Sequence, residues 1–159
     1  MTTKLDFDKA LGFVLSKEGG YVNHPNDKQG ATNKGICQAA YSEFRESVNI
    51  PTQSVLYIEM EEVVKIYKYN YWIKAGCDKL EDGKYACIIF DLAVNSGLNR
   101  AKKFHSLAKG NIETLFKLRE EFYNRIVKNN PSQKVFLKGW LNRISDLRKY
   151  IAAWDLITF

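Results

Sequence analysis

Apolar residues recur at helical spacing along nearly the whole chain, and this period constrains the fold more than any other feature. The first stripe comprises Phe7, Leu11, Val14 and Leu15. The last stripe comprises Leu137, Trp140, Ile144, Leu147 and Ile151. Residues three or four apart lie on one face of an α-helix, so each stripe can pack against a shared core. The period therefore predicts an all-α fold.

Capping residues and glycines give approximate helix ends. Asp6 is the expected N-cap of the first helix, and Gly19-Gly20 is its expected stop. Further helices are predicted at 36–47, 58–74, 84–96, 99–109, 112–128 and 134–153. The polar segment 20–35 is rich in Asn, Pro, Asp and Gly, which favours turns or a short hairpin. No linker or repeat interrupts the pattern, so residues 1–159 are expected to form a single compact domain.

Composition argues against several classes of protein. No segment has the roughly 18 consecutive apolar residues of a membrane span, so no stable membrane insertion is expected. The first residues lack the basic and apolar order of a secretory signal, which predicts synthesis in the cytoplasm without a signal peptide. Cys37, Cys77 and Cys87 are an odd number without metal-ligand spacing, so we expect three free thiols, no metal and no cofactor.

The net charge of +6 is concentrated near the end of the chain. Residues 100–159 contain 13 Lys and Arg against 5 Asp and Glu, whereas residues 1–99 contain 11 against 13. This asymmetry predicts an anionic partner or, more simply, a solvated basic helix face. A nucleic-acid partner is not expected, because the chain has no recognisable nucleic-acid-binding motif and no Gly-rich phosphate loop.

Glu18 is the first candidate for catalysis, because it ends an amphipathic helix and precedes two glycines. A carboxylate in the last helical turn faces the negative end of the helix dipole, which disfavours its ionised form by about 0.3–1 kcal/mol and raises its pKa. Together with partial burial, this favours the protonated state that a general acid needs. The glycines would let another molecule approach the carboxyl closely. The alternative is a solvated helix-end residue with a glycine C-cap.

Two further candidates lie in the polar segment. Asp27 and Thr32 follow Glu18 closely, so a second carboxyl and a hydroxyl share one short segment with it. Glycoside hydrolysis uses one carboxylic acid to protonate the leaving oxygen and a second group to activate water or stabilise the oxocarbenium-like centre. The alternative for Asp27 and Thr32 is turn formation, in which both side chains bond the local backbone.

Three segments resemble the muramidases of glycoside hydrolase family 108, which are found as phage endolysins and as secretion-associated peptidoglycan hydrolases. The segments are "EGGYVNHPNDKQGATNKGI", "YIEMEEVVKIYKYNYW" and "IFDLAVNSGLNRAKKF". They occur in the order typical of the family and cover most of the chain. The resemblance implies a lysozyme-like fold, with a catalytic muramidase portion in residues 1–76 and a helical, peptidoglycan-binding-like portion in residues 77–159.

The resemblance also implies an activity and a set of sugar contacts. The activity is cleavage of the β-1,4 bond between N-acetylmuramic acid and N-acetylglucosamine in peptidoglycan glycan strands, with Glu18 as the catalytic glutamate. The implied cleft lies between the Glu18 loop and the later helices, where Tyr21, Asn95 and Trp72 would contact sugar. Asn95 suits this task because its amide both donates and accepts hydrogen bonds. For Trp72, core packing is the favoured alternative, because it ends an apolar-rich helix.

Two other functions are compatible with these residues. A lytic transglycosylase would use Glu18 as both acid and base, and a non-catalytic peptidoglycan-binding or secretion-accessory protein would cleave nothing. A cell-wall enzyme without a signal peptide also needs a route out of the cytoplasm. A holin or a dedicated export system is therefore an expected partner, with action in the periplasm after release. We expect the protein to be a monomer.

Overall fold

The computed structural model describes residues 1–25 and 30–159. These ranges contain seven α-helices and one small hairpin, which confirms the predicted all-α fold with a hairpin in its polar loop. The α-helices are α1 (Lys4–Lys17), α2 (Gln38–Ser47), α3 (Met60–Tyr67), α4 (Gly83–Ser96), α5 (Leu98–Ala108), α6 (Ile112–Asn129) and α7 (Lys134–Ala152). The antiparallel strands are β1 (Thr32–Asn33) and β2 (Ile36–Cys37). No helix among the described residues combines the length and apolar content that crossing a membrane requires.

The two ends of α1 differ from the sequence prediction. Thr3, not Asp6, is the N-cap: its Oγ1 accepts from the Asp6 N–H at 3.1 Å, while the Asp6 carboxylate accepts from the Thr3 N–H at 2.8 Å. This reciprocal capping box places Asp6 at the third helical position. At the other end the C-cap is Glu18 itself, with an extended backbone. Neither Gly19 nor Gly20 has a positive φ, so neither forms a left-handed cap.

The predicted helix 58–74 is divided. It consists of α3 followed by a π-helix, Lys68–Ile73. The wider turn of a π-helix changes which side chains face inward, and such segments often occur near functional sites. Trp72 in this segment is buried, 3% exposed, with its ring centroid 5.4 Å from those of Phe7 and Phe90. The Trp72 ring therefore packs in the core, which was the favoured alternative to sugar binding, and almost none of its surface is open to a sugar.

The core is built around α4. Every residue from Tyr85 to Ala93 is buried, as expected for a helix surrounded by others on all sides. It packs against α1 on one side and α5 on another, while α6 packs against α7. Cys77 and Cys87 are buried and Cys37 is half-buried, and all three thiols are free, which confirms that prediction. Burial raises the pKa of both buried thiols, so they remain neutral.

Hydrogen bonds and an ion pair join α7 and the residues after it to α1. The Lys9 ammonium donates to the Trp154 carbonyl at 2.8 Å, and the Tyr150 hydroxyl donates to the Lys9 carbonyl at 2.7 Å. Nearer the end of α1, Lys17 forms an ion pair with Asp146. These contacts join residues from opposite ends of the sequence. They hold α7 beside the end of α1, where Glu18 lies.

Candidate active site

The Glu18 side chain lies in the wall of a cleft. It is 22% exposed, and the cleft has a volume of about 260 Å³. The residues that line it are Leu15, Glu18, Gly19, Gly20, Lys34 and Met60. A Cβ added at either glycine would meet no atom within 4 Å, so the space beside the carboxyl is open. Volume alone does not distinguish this cleft, because another cleft of about 410 Å³ lies between α2 and the π-helix. The half-buried Glu18 carboxyl in its wall does distinguish it.

The hairpin forms a second wall. Its two turn residues, Lys34 and Gly35, have φ values of 52° and 80°, the combination found in tight two-residue hairpins. The Lys34 N–H donates to the Gly19 carbonyl at 3.1 Å, and Val22 and Thr32 exchange two backbone hydrogen bonds of 2.8 Å. These bonds attach the hairpin to the segment that follows Glu18.

Gly35 allows the hairpin to pack directly on the carboxyl. A Cβ at this position would lie 2.9 Å from Cδ of Glu18 and closer still to the Tyr67 hydroxyl. Both the positive φ and this close approach therefore require glycine. The Tyr67 hydroxyl in turn donates to the Lys34 carbonyl at 2.7 Å. Burial raises the pKa of Tyr67, and the nearby Glu18 charge raises it further, so the phenol stays neutral beside the carboxyl.

A cation from the last helix faces Glu18. Nη1 of Arg143 lies 3.8 Å from Oε1 of Glu18. The same guanidinium donates to Oδ1 of Asp91 through Nη2 at 2.7 Å and Nε at 3.1 Å. Asp91 is fully buried on α4, and these hydrogen bonds orient the Arg143 side chain. Glu18 remains open to the cleft.

The network continues into the core. The other Asp91 oxygen accepts from Arg119 at 2.9 Å, and both side chains are fully buried. Arg119 also donates to the Tyr123 hydroxyl at 3.1 Å, and that hydroxyl accepts from the Asn95 amide at 2.7 Å. A buried carboxylate between two guanidiniums satisfies the rule that interior charges are paired. The candidate sugar-binding residue Asn95 therefore belongs to the same network as Glu18.

Burial raises the pKa of Glu18. The positive charge of Arg143 opposes this shift, and the negative charge of Asp91 adds to it. The sequence prediction invoked the helix dipole, but the structure gives desolvation as the main cause. A carboxyl that resists ionisation beside open space has the properties of a proton donor.

The other predicted site residues have different surroundings. Asp27 lies outside the described residues. Thr32 is in β1 and half-buried. Tyr21 is 39% exposed, just after the glycine pair. In the part of the chain that the structure describes, no three His, Cys, Asp or Glu side chains are grouped as metal ligands.

Sequence reasoning missed Arg143, Asp91 and Tyr67. For Asp91 a signal was available, because it is the only charged residue in the apolar run "YACIIFDLAV" and a buried charge needs partners. Nothing near Arg143 in the sequence distinguishes it from the other basic residues of the last helix. Its role depends on a contact with the opposite end of the chain.

Two comparisons with known proteins each found a match. Residues 11–97 match the sequence model of the family described as glycosyl hydrolase 108. The matched segment contains Glu18, the hairpin, Tyr67, Asp91 and Asn95. Among solved structures, Brucella abortus SagA superposes with a TM-score of 0.65 at 31% identity, over 95% of this chain and 96% of that one. No match was found among curated proteins.

Proposed function

Because the chain belongs to the glycosyl hydrolase 108 family of peptidoglycan hydrolases, we propose that it is an N-acetylmuramidase with Glu18 as its general acid. The bond cleaved is the β-1,4 linkage between N-acetylmuramic acid and N-acetylglucosamine. One observation carries the proposal: the half-buried Glu18 carboxyl, whose pKa is raised by burial, lies beside two glycines in an open cleft.

Glu18 acts in the bond-breaking step. Its proton passes to the glycosidic oxygen as the bond from that oxygen to the anomeric carbon breaks, and the bonding electrons stay on the oxygen. The sugar acquires oxocarbenium character. Water then attacks the anomeric carbon and loses a proton, which passes to the Glu18 carboxylate or to Asp27. The glycine pair lets the glycosidic oxygen come within hydrogen-bond distance of the carboxyl, a geometric requirement for proton transfer.

Arg143 stabilises the site after proton transfer. Glu18 is then a carboxylate, and a guanidinium at 3.8 Å attracts it without a direct hydrogen bond. Asp91 orients the Arg143 side chain through two hydrogen bonds and partly neutralises its positive charge. The acid thus keeps its proton more readily before the reaction, while its ionised product is not left without a counter-charge.

Asp27 and Thr32 serve the attacking water or the developing positive centre. Support comes from their chemistry and from the position of Thr32 in the hairpin, whose turn packs on Glu18. Tyr21 and Asn95 contribute to sugar binding, the first as an exposed ring and the second as an amide beside the charged network. Residues 1–76 form the catalytic portion and residues 77–159 a peptidoglycan-binding portion. The enzyme reaches the wall through a holin or a dedicated export system.

Mass spectrometry of digested sacculi tests the proposal. Purified protein is incubated with sacculi, and the soluble fragments are analysed for their reducing ends. A muramidase leaves reducing N-acetylmuramic acid, a lytic transglycosylase leaves an anhydro-sugar, and an N-acetylglucosaminidase leaves reducing N-acetylglucosamine. The Glu18→Gln protein, processed in parallel, controls for contaminating hydrolases. Either of the last two products would overturn the assigned bond chemistry.

A further inference from the structure

Arg100, on α5, packs against two aromatic rings. Its guanidinium carbon lies 3.9 Å from the Phe122 ring centroid and 6.0 Å from that of Phe104. The two rings pack edge to face at 6.0 Å, which fixes the surface on which the guanidinium rests. Stacking uses the face of a guanidinium and leaves the N–H groups at its edge for hydrogen bonds.

One of these edge donors has no acceptor. The Arg100 Nε is buried and makes no hydrogen bond within the described residues. Arg100 also forms no ion pair with any Asp or Glu in those ranges, whereas Arg119, Arg143 and Arg148 each do. A buried donor without an acceptor is destabilising, but the Arg119 Nε also lacks one, so the case for a ligand at Arg100 depends on the missing ion pair and on the cavity beside it.

Arg100 also lines a neighbouring cavity, and because its Nε is closed off from solvent, the terminal N–H groups of the guanidinium are the donors that a ligand in this cavity would use. The cavity has a volume of about 200 Å³ and is lined by Arg100, Phe122, Arg125, Ile126 and Asn129. The lining thus contains two guanidiniums, one amide and no carboxylate. Lys103 and Lys128 are exposed and lie three residues after the two arginines, on the same helix faces. Glu121 lies one turn before Arg125 but forms no ion pair with it in the described structure.

We propose that Arg100 and Arg125 form an oxyanion-binding site between α5 and α6. Arg100 is the fixed donor, Arg125 supplies a second cation from the exposed rim, and Asn129 adds an amide. Guanidinium geometry matches carboxylate and phosphate, which accept two parallel hydrogen bonds. In the cell envelope the ligand is a carboxylate of the peptidoglycan stem peptides or a phosphate of an associated polymer. The site contains no residue proposed for catalysis, and only the stem-peptide source rests on the proposed function.

Titration followed by NMR tests the site. The full chain carries Glu18→Gln so that no probe is hydrolysed, and sodium chloride keeps the ionic strength constant. The three probes are a disaccharide-tetrapeptide muropeptide, inorganic phosphate and N,N′-diacetylchitobiose, which has no carboxylate or phosphate. The Arg100 Nε–H resonance and the backbone amides of α5 and α6 should shift saturably with one or both oxyanions, and not with the neutral sugar. If only one oxyanion saturates, it identifies the source; if both do, the one with the lower dissociation constant identifies it.

Variants separate a built site from general positive charge. Arg100→Gln and Arg125→Gln should each weaken binding by about tenfold, the effect expected for a lost charge-assisted hydrogen bond. Lys102→Gln removes one charge from the same helix outside the cavity and should change binding less than twofold. Arg125 is exposed, so its variant tests the site even if Arg100→Gln is destabilised. Absence of saturable shifts, or equal binding by Arg125→Gln and Lys102→Gln, would overturn the proposal. The phosphate titration does not depend on whether the protein is a muramidase.

Discussion

Oε1 of Glu18 lies 3.8 Å from Nη1 of Arg143, close enough for charge attraction but too far for a hydrogen bond. Arg143 directs its hydrogen bonds to Asp91 instead. A direct bond to Glu18 would favour the carboxylate and lower its pKa strongly. The observed spacing leaves burial as the dominant influence, so Glu18 retains its proton more readily than an exposed glutamate.

Glu18→Gln should lower the rate of sacculus cleavage by about 10²–10⁴-fold, since general acid catalysis contributes that much and the amide has no acidic proton. Release of soluble muropeptides from sacculi measures the rate. Glu46→Gln, an exposed change on α2, is the matched control and should retain the wild-type rate. A folded Glu18→Gln protein with near wild-type activity would contradict the assignment.

The same substitution should stabilise the fold at neutral pH. The folded-state pKa of Glu18 is above the unfolded value, so the stability associated with its proton is present at low pH and is lost as pH rises through the folded pKa. Glutamine does not ionise, so the Glu18→Gln protein does not lose this stability as pH rises. Urea unfolding at pH 7 should therefore give a higher free energy of unfolding for the variant, with the difference vanishing below about pH 4, where both states bind the proton. An equal gain at both pH values would show that the effect is not the titration of Glu18.

Arg143→Gln should move the alkaline limb of the pH–activity profile to higher pH. The general acid is active only while protonated, and removal of a cation at 3.8 Å raises the Glu18 pKa further. The measurement is kcat as a function of pH. Arg148→Gln, also on α7 but paired with Glu113, should leave the limb in place. A shift to lower pH, or an equal shift in both variants, would refute the assigned charge effect.

Asp91→Asn should destabilise the protein by about 3–5 kcal/mol, because Arg119 is fully buried and would lose its only carboxylate partner in the described structure. Chemical denaturation gives this value. Asp155→Asn changes an exposed carboxylate and should stay within about 0.5 kcal/mol of wild type. Similar small effects of both substitutions would mean that the interior network contributes little to stability.

Gly35→Ala should cost about 1–2 kcal/mol for its left-handed backbone alone, and the added methyl must also displace the Glu18 carboxyl or Tyr67. Both stability and the cleavage rate should fall. Gly19→Ala is the comparison, since it has no positive φ and open space around it, and its unfolding midpoint should match that of wild type. The hairpin-packing account is wrong if Gly35→Ala has the stability and rate of the unmodified protein.

Local features of the fold could be predicted from the sequence. Helical apolar spacing located the seven α-helices of the described residues, six of them to within a few residues at both ends, and Asn, Pro and Gly content indicated the hairpin. The Thr3 cap was missed because Asp6 is an equally good capping residue in isolation, and only the reciprocal bonds decide between them. The π-helix was missed because apolar spacing does not distinguish a widened turn from the end of a helix.

The site was predictable only in part. Glu18 could be proposed as a candidate because its helix end and glycine pair are adjacent in sequence. Its pairing with Arg143 could not, since α7 reaches α1 only through packing of the whole chain. The requirement for glycine at position 35 likewise follows from a contact between the hairpin and Glu18. Local patterns thus pointed to Glu18 as the proposed acid, whereas its electrostatic surroundings depend on tertiary contacts.

The dependence of Glu18 on α7 also sets the order of events during synthesis. Glu18 leaves the ribosome early, and Arg143 emerges only after α1 to α6 have been translated. Until then Asp91 lacks one of its two cations and the acid lacks its counter-charge. The nascent chain therefore carries the proposed proton donor long before that residue has its final surroundings. Docking of the last helix on the first is the folding step that completes the surroundings of the proposed acid.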